Sequence, residues 1–367
     1  MGRKPYRQAQ AGSTLSPGGQ PVGFYDDVEM IGHVGFIKPG KGSDDFAVQQ
    51  KLGPADTIYD LQPPLQFLIV RAALAVHDSV LAARLPSLLA GLASILGLAL
   101  LGAARAGRRA GLVAALLCAG ALFHVDISRA IKLYAPFFGL FVFSMLLLTR
   151  ALAAPRRRPL LLAGYAAATA AMLWAGHQGA PILAAQGLWV AALFLGRKAP
   201  FDGPDRLPRL AAVAGAMAAA AAAWLPIARG PLILQGFVTN PEAPMASGLT
   251  FAFFVDTLGG FFHSSYPASI VSVAGVAILA VAGLSWSRRA PTLLVVLCAL
   301  APAATLLTSK SDLRGILNWR HLIAAMPALC VLAGAGASGL GGLMARALPA
   351  RLAPVGALAV AGGLAGL

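Results

Sequence analysis

Residues 132–150 read KLYAPFFGLFVFSMLLLTR, an unbroken apolar run held between a lysine and an arginine. As a helix, a run of about 20 residues crosses some 30 Å of hydrocarbon, and it is twice the length of a barrel strand. A chain in lipid must satisfy its own backbone hydrogen bonds, so runs of this length dictate helices. Working outward, comparable runs are expected to form spans at roughly 84–104, 110–126, 132–150, 159–176, 179–196, 210–228, 269–287, 290–308, 321–344 and 352–367. The 367 residues are 58% hydrophobic and 12% charged, with a mean hydropathy of +0.73. A soluble domain carries about twice that share of charge. The expected fold class is all-α, a polytopic transmembrane helical bundle of about ten spans.

The charges sort by the side on which they fall. Arg105/Arg108/Arg109, Arg150/Arg156/Arg157/Arg158, Arg197/Lys198/Arg206/Arg209, Arg288/Arg289 and Arg346/Arg351 lie between runs on one side, which makes 15 of the 29 Lys and Arg and assigns that side to the cytoplasm. The other side receives 24–83, 127–131, the turn at His177, the loop 229–268 and 309–320, and these segments with the span ends beside them hold 12 of the 14 Asp and Glu and all six His. The net charge of +15 is therefore positive-inside patterning, not a basic groove, and nucleic acid is excluded as a partner. Cys118, Cys298 and Cys330 all lie in apolar runs and read as small core residues.

The chain divides into a flexible polar N-terminus (1–23), an extracytoplasmic loop with an interfacial helix (24–83) and a transmembrane helical domain (84–367) with the external loop 229–268. The interfacial helix opens at Pro63-Pro64 and ends near Asp78, and Arg71 argues against its being a span. Placing 24–83 outside calls for an earlier span. The expectation is that a first transmembrane helix is missing from this sequence, and that the chain also stops early, within the apolar run at Leu367. The Ala-rich stretch 211–223 reads as a close-packing membrane helix.

Several motifs carry chemistry. Phe24-Tyr25-Asp26-Asp27-Val28-Glu29 gathers three acids; adjacent carboxylates raise each other's proton affinity, so one can act as a general base while another orients. The bland alternative is a solvated acidic turn. Asp60 precedes Leu61-Gln62-Pro63-Pro64-Leu65, where the prolines stiffen the backbone at the head of the interfacial helix. His124, Asp126, Ser128, Arg129, Lys132 and Tyr134 straddle the outer end of two spans, where positive-inside bias does not put cations. Arg129 and Lys132, three apart, would share a helical face and clamp a phosphate, unless they merely snorkel. His177-Gln178 marks an outer turn, His263 lies in the long loop, and Arg320-His321 opens a span where a cation can meet an anionic headgroup. Carboxylates and His could bind a divalent metal ion, though no ligand spacing demands one.

The ordered set of motifs resembles the polytopic GT-C glycosyltransferases, of the bacterial branch related to protein O-mannosyltransferases and aminoarabinose transferases (glycosyltransferase family 39-like). The resemblance covers about 24–340: Phe24-Tyr25-Asp26-Asp27, then Asp60 to Leu65, Ala83-Arg84-Leu85-Pro86-Ser87, Ser128/Lys132/Tyr134, His177 with Ala185-Gln186-Gly187, and Arg320/His321 before Pro327. It departs at Asp27, where Glu is usual, at Ala130, where Glu is usual, and at Lys132, where Arg is usual.

The resemblance implies transfer of a sugar from a polyprenyl-phosphate donor, presented from the membrane, to a glycan, lipid or protein acceptor on the extracytoplasmic side of the bacterial inner membrane. An inverting transfer needs a base for the acceptor hydroxyl and cations for the departing phosphate. The resemblance gives Asp26 as base, Asp27 or Asp60 as orienting group or metal ligand, and Arg129, Lys132, Tyr134, Arg320 and His321 for the donor phosphate, with His177 and His263 in secondary roles. The rival readings are a transporter or flippase of lipid-linked glycans, or an inactive relative. Transporters place ionisable groups near the bilayer midplane, whereas here they gather at span ends, which favours an interfacial enzyme.

Overall fold

The computed structural model describes residues 64–198, 200–227, 266–286, 294–301 and 323–347. The expected polar N-terminus 1–23, the loop from 24 to Pro63, the loop 229–268 as far as Tyr266, and the expected final span 352–367 lie outside these residues. Among the described residues the chain forms helices and no strand. Helix α1 runs Leu65–Val76, α2 Val80–Ala106, α3 Arg108–Gly120, α4 Leu122–Arg129 and α5 Tyr134–Ala153. Then follow α6 (Arg158–Ala175), α7 (Gly179–Leu195), α8 (Arg206–Trp224), α9 (Tyr266–Trp286), a helical stretch over 294–301 and α10 (Ala325–Ala347).

Four helical segments among the described residues are long and apolar enough to cross a membrane: Val80–Ala106, Tyr134–Ala153, Arg206–Ile227 and Ala325–Leu343. The all-α membrane bundle read from the sequence is the observed fold. One expected span is corrected. Residues 110–126 do not form a single rod: the chain breaks at Ala121, whose backbone is extended, and α4 leaves α3 at 63°. The second half carries His124, Asp126 and Ser128, and the bend lays His124 and Ser128 on α2 at Gly91, where a methyl group would strike the Ser128 hydroxyl.

Local chemistry sets several ends. The Ser79 hydroxyl accepts from the Ala82 amide at 3.2 Å and caps α2. Gly107, at φ +91°, supplies the reversal between α2 and α3 that a side chain would strain. The last turn of α7 closes with Lys198 N–H donating to the Leu193 carbonyl at 2.9 Å and Arg197 N–H to Phe194 at 3.2 Å, with Arg197 itself left-handed at φ 48°.

The core has two centres that meet through α2 and α3. In the first, α5 is packed between α2 and α6, burying Phe137, Phe138, Phe141, Val142, Met145 and Leu148. In the second, α10 lies against α3 and α9. Lipid is as apolar as a leucine side chain, so burial alone does not drive these helices together; close approach and interhelical hydrogen bonds do. Accordingly, a Cβ on Gly111 would meet the Ala99 carbonyl and, at 2.7 Å, the Ala103 nitrogen, and Gly283 and Gly336 lie directly against each other's helix backbone.

Two further expectations change. The Ala-rich stretch is helical, but of α8 only Val213 and Ala220 are buried; it packs mainly against α6 and more lightly against α7, and the close packing belongs to the glycines of α2, α3, α9 and α10. Arg105, read as a cytoplasmic loop cation, is 3% exposed in the last turn of α2, where a cation meets the negative end of the helix dipole. The three cysteines are buried and free, as the sequence suggested.

Candidate functional site

One end of the bundle collects the start of α1, the N-terminal third of α2, α4, the α4–α5 loop, the first turn of α5 and the turn between α6 and α7. The contacts that assemble it are specific. Gly176, just before His177, lies so close to the Phe137 ring that a Cβ would sit 2.7 Å from it. Helix α1 packs on α2 and reaches α6. The Trp174 indole donates to the Ala223 carbonyl at 2.7 Å, bringing the end of α8 alongside.

At the centre of this end stands Ser87, fully buried on α2. Its hydroxyl accepts from Gln66 Nε2 of α1 and donates to the Lys132 carbonyl, both at 3.5 Å. Lys132 lies in the non-helical link between α4 and α5, where no helical ladder satisfies its carbonyl. Gln66 is 1% exposed, and its Oε1 is buried without a hydrogen-bond partner.

A second polar set lies two turns further along α2, at Ser94. Ser94 donates to the Gly91 carbonyl at 2.7 Å and lies 2.9 Å from His124 Nε2. The ring meets Phe138 edge-on at 5.5 Å, and the Ser128 hydroxyl donates to the His124 carbonyl at 2.6 Å. His124 and Ser128 thus fasten α4 to α2 and α5. A third set crosses the bundle: Tyr165 donates to Gln186 Oε1 at 2.7 Å, Gln186 Nε2 to Ser144 at 3.0 Å, and Ser144 to the Phe141 carbonyl at 2.8 Å, joining α5, α6 and α7.

Of the residues expected at the site, Asp26, Asp27, Asp60, His263, Arg320 and His321 lie outside the described residues. Arg129 and Lys132 do not share a helical face. Helix α4 ends at Arg129, Ala130 is extended at ψ 145°, and Lys132 falls in the link, so the i, i+3 argument fails for want of a helix. Arg129 is exposed, whereas Lys132 and Tyr134, the first residue of α5, are half-buried. His177 is half-buried between α6 and α7, with both ring nitrogens buried and lacking hydrogen-bond partners among the described residues. Burial holds its pKa below 6.5. Among the described residues no three His, Cys, Asp or Glu gather closely enough to hold a metal ion.

Residues 61–225 match the sequence profile of the family described as dolichyl-phosphate-mannose-protein mannosyltransferase. No curated protein matches the chain. Among solved structures, the chain is similar to ArnT from Cupriavidus metallidurans in the apo state, at 18% identity and a TM-score of 0.55 over 76% of this chain and 50% of that one. ArnT bound to undecaprenyl phosphate gives the same identity and TM-score over 84% and 61%. The archaeal oligosaccharyltransferase AglB from Archaeoglobus fulgidus, in complex with an inhibitory peptide and a dolichol-phosphate, follows at 15% and 0.51 over 83% and 46%. The chain thus spans about half to three fifths of the length of these proteins. The likeness establishes a shared membrane-helical fold, and the resemblance to GT-C-type membrane glycosyltransferases read from the motifs holds.

Proposed function

We propose that the chain is a membrane glycosyltransferase that takes a sugar from a polyprenyl-phosphate-linked donor and passes it, with inversion, to an acceptor at the extracytoplasmic face of a bacterial inner membrane. One observation carries this reading: two separate motifs that fall within the family match at 61–225, Ala83–Ser87 through Ser87 and Ser128/Lys132/Tyr134 through Lys132, meet at one end of the bundle, beside Gln66, the residue that follows the Asp60-to-Leu65 motif.

Lys132 is the donor-phosphate ligand in this reading. A half-buried ammonium at the lipid boundary is worth more against phosphate than one in water, because local screening is weaker. Asp26 removes the acceptor proton, Asp27 and Asp60 orient the acceptor or a divalent metal ion, and Tyr134, Arg129, Arg320 and His321 complete the phosphate site, with His177 and His263 at its margin. A neutral His177 suits that margin, since it can accept from a sugar hydroxyl while adding no charge to the phosphate site.

Membranes carrying the protein, supplied with a radiolabelled polyprenyl-phosphate sugar, test the reading. Asp26→Asn is expected to slow transfer about 10²- to 10⁴-fold, and Lys132→Ala about 10²- to 10³-fold. Wild-type transfer by Asp26→Asn removes the assigned base. Lipid translocation without any glycosylated product turns the reading towards a flippase.

A further inference from the structure

The geometry points to Ser87 and Gln66 as positioning residues that set where Lys132 stands. This inference rests on the reading of Lys132 as the phosphate ligand, and deepens it. Lys132 has no helix to hold it: α4 has ended at Arg129 and α5 begins at Tyr134. A lysine on such a link gains its position from whatever holds the link's backbone. Here that hold includes a hydrogen bond from Ser87 to the Lys132 carbonyl. The single Ser87 proton is used on that carbonyl, so Ser87 can receive only as acceptor, and Gln66 Nε2 is the donor that fills the role.

Gln66 donates to Ser87, and Ser87 donates to the Lys132 carbonyl, each at 3.5 Å, the long end of the hydrogen-bond range. This pair of bonds ties together α1, α2 and the α4–α5 link, three segments 21 and 45 residues apart in sequence. Both side chains are buried; the Gln66–Ser87 bond is wholly buried and the Ser87–Lys132 bond partly so. Gln66 leaves its other atom, Oε1, buried and without a hydrogen-bond partner among the described residues. An amide carbonyl held so is an acceptor kept in reserve for a donor group, and a sugar-phosphate headgroup bound at Lys132 offers hydroxyl donors.

The test uses the full-length protein in nanodiscs, titrated with undecaprenyl phosphate and, separately, with undecaprenol, which lacks the phosphate. Ser87→Ala removes the hydroxyl; Gln66→Met keeps the side-chain shape and removes both polar atoms, so it serves if Ser87→Ala fails to fold. Each variant is expected to weaken undecaprenyl phosphate binding about threefold to tenfold, the worth of one hydrogen bond, and to leave undecaprenol binding unchanged. Equal losses for the two lipids would mean that these residues serve the fold alone, and would overturn the inference. Lys132→Ala separates the two levels. If it weakens phosphate binding while Ser87→Ala and Gln66→Met do not, the positioning role fails and the phosphate reading stands. If Lys132→Ala has no effect, the phosphate reading fails and takes the positioning role with it.

Discussion

Gln186 entered the sequence reading as one letter of a short Ala-Gln-Gly motif, yet it is the hub of a buried relay. Removing the hydroxyl with Tyr165→Phe leaves Gln186 Oε1 without its donor in an apolar interior. The expected loss is about 1–3 kcal/mol, read as a lower Tm in detergent. His177 supplies a pH dependence. Its imidazole is held below 6.5 by burial, so below that pH the unfolded ring takes up a proton that the folded ring refuses. Its contribution to stability is whole above pH 6.5 and declines as the pH falls towards the folded value. A Tm series from about pH 7.5 down to about pH 5 should fall for the wild type and fall less for His177→Gln. A Tm slope unchanged by that substitution would remove His177 as the source. Charged and imidazole residues announced themselves in the sequence because they interrupt apolar runs. Gln66 did not, and Ser87 stood out only as the last letter of a short motif, because an uncharged side chain barely shifts hydropathy and their partners lie 21 and 45 residues away.

Helix positions were legible to within a few residues, because apolar length is a one-dimensional property. Which face of each helix is buried was not. The Ala-rich α8 and the glycine-bearing α3 look alike by composition, yet α8 is mostly exposed and α3 is clasped between α2 and α10. Two substitutions separate them. Gly111→Ala drives a methyl group into the backbone of α2, which cannot rotate away as a side chain could. It should lose about 1–3 kcal/mol to overpacking, offset in part by the better helix propensity of alanine. Gly215→Ala on α8 meets nothing within 4 Å and should gain up to about 1 kcal/mol. Thermal unfolding followed by size exclusion reads both; a stabilising Gly111→Ala would contradict the packing of α2 on α3. The bend at Ala121 was hidden for a related reason: hydropathy averaged over 110–126 records that the segment is apolar, not that its polar half turns aside to dock on Gly91.

At the scale of the whole molecule, the alternation of basic clusters and acid-rich segments proposes an orientation in the membrane. The candidate site was legible only in part, because a site is a meeting of distant segments and each segment carries a short signal. Sidedness can be measured directly. The native thiols at Cys118, Cys298 and Cys330 are buried and should react slowly, so single added cysteines report cleanly. In intact cells stripped of outer membrane, Asp126→Cys should label with an impermeant maleimide, and Arg157→Cys only after lysis. The reverse pattern would invert the proposed orientation. The break after α3 then has a physical sequel. Thirteen residues of helix reach about 20 Å, some 10 Å less than a typical hydrocarbon layer. Acyl chains lying against so short a helix would shorten or splay to match it, thinning the bilayer beside the bundle end that holds the α4–α5 link.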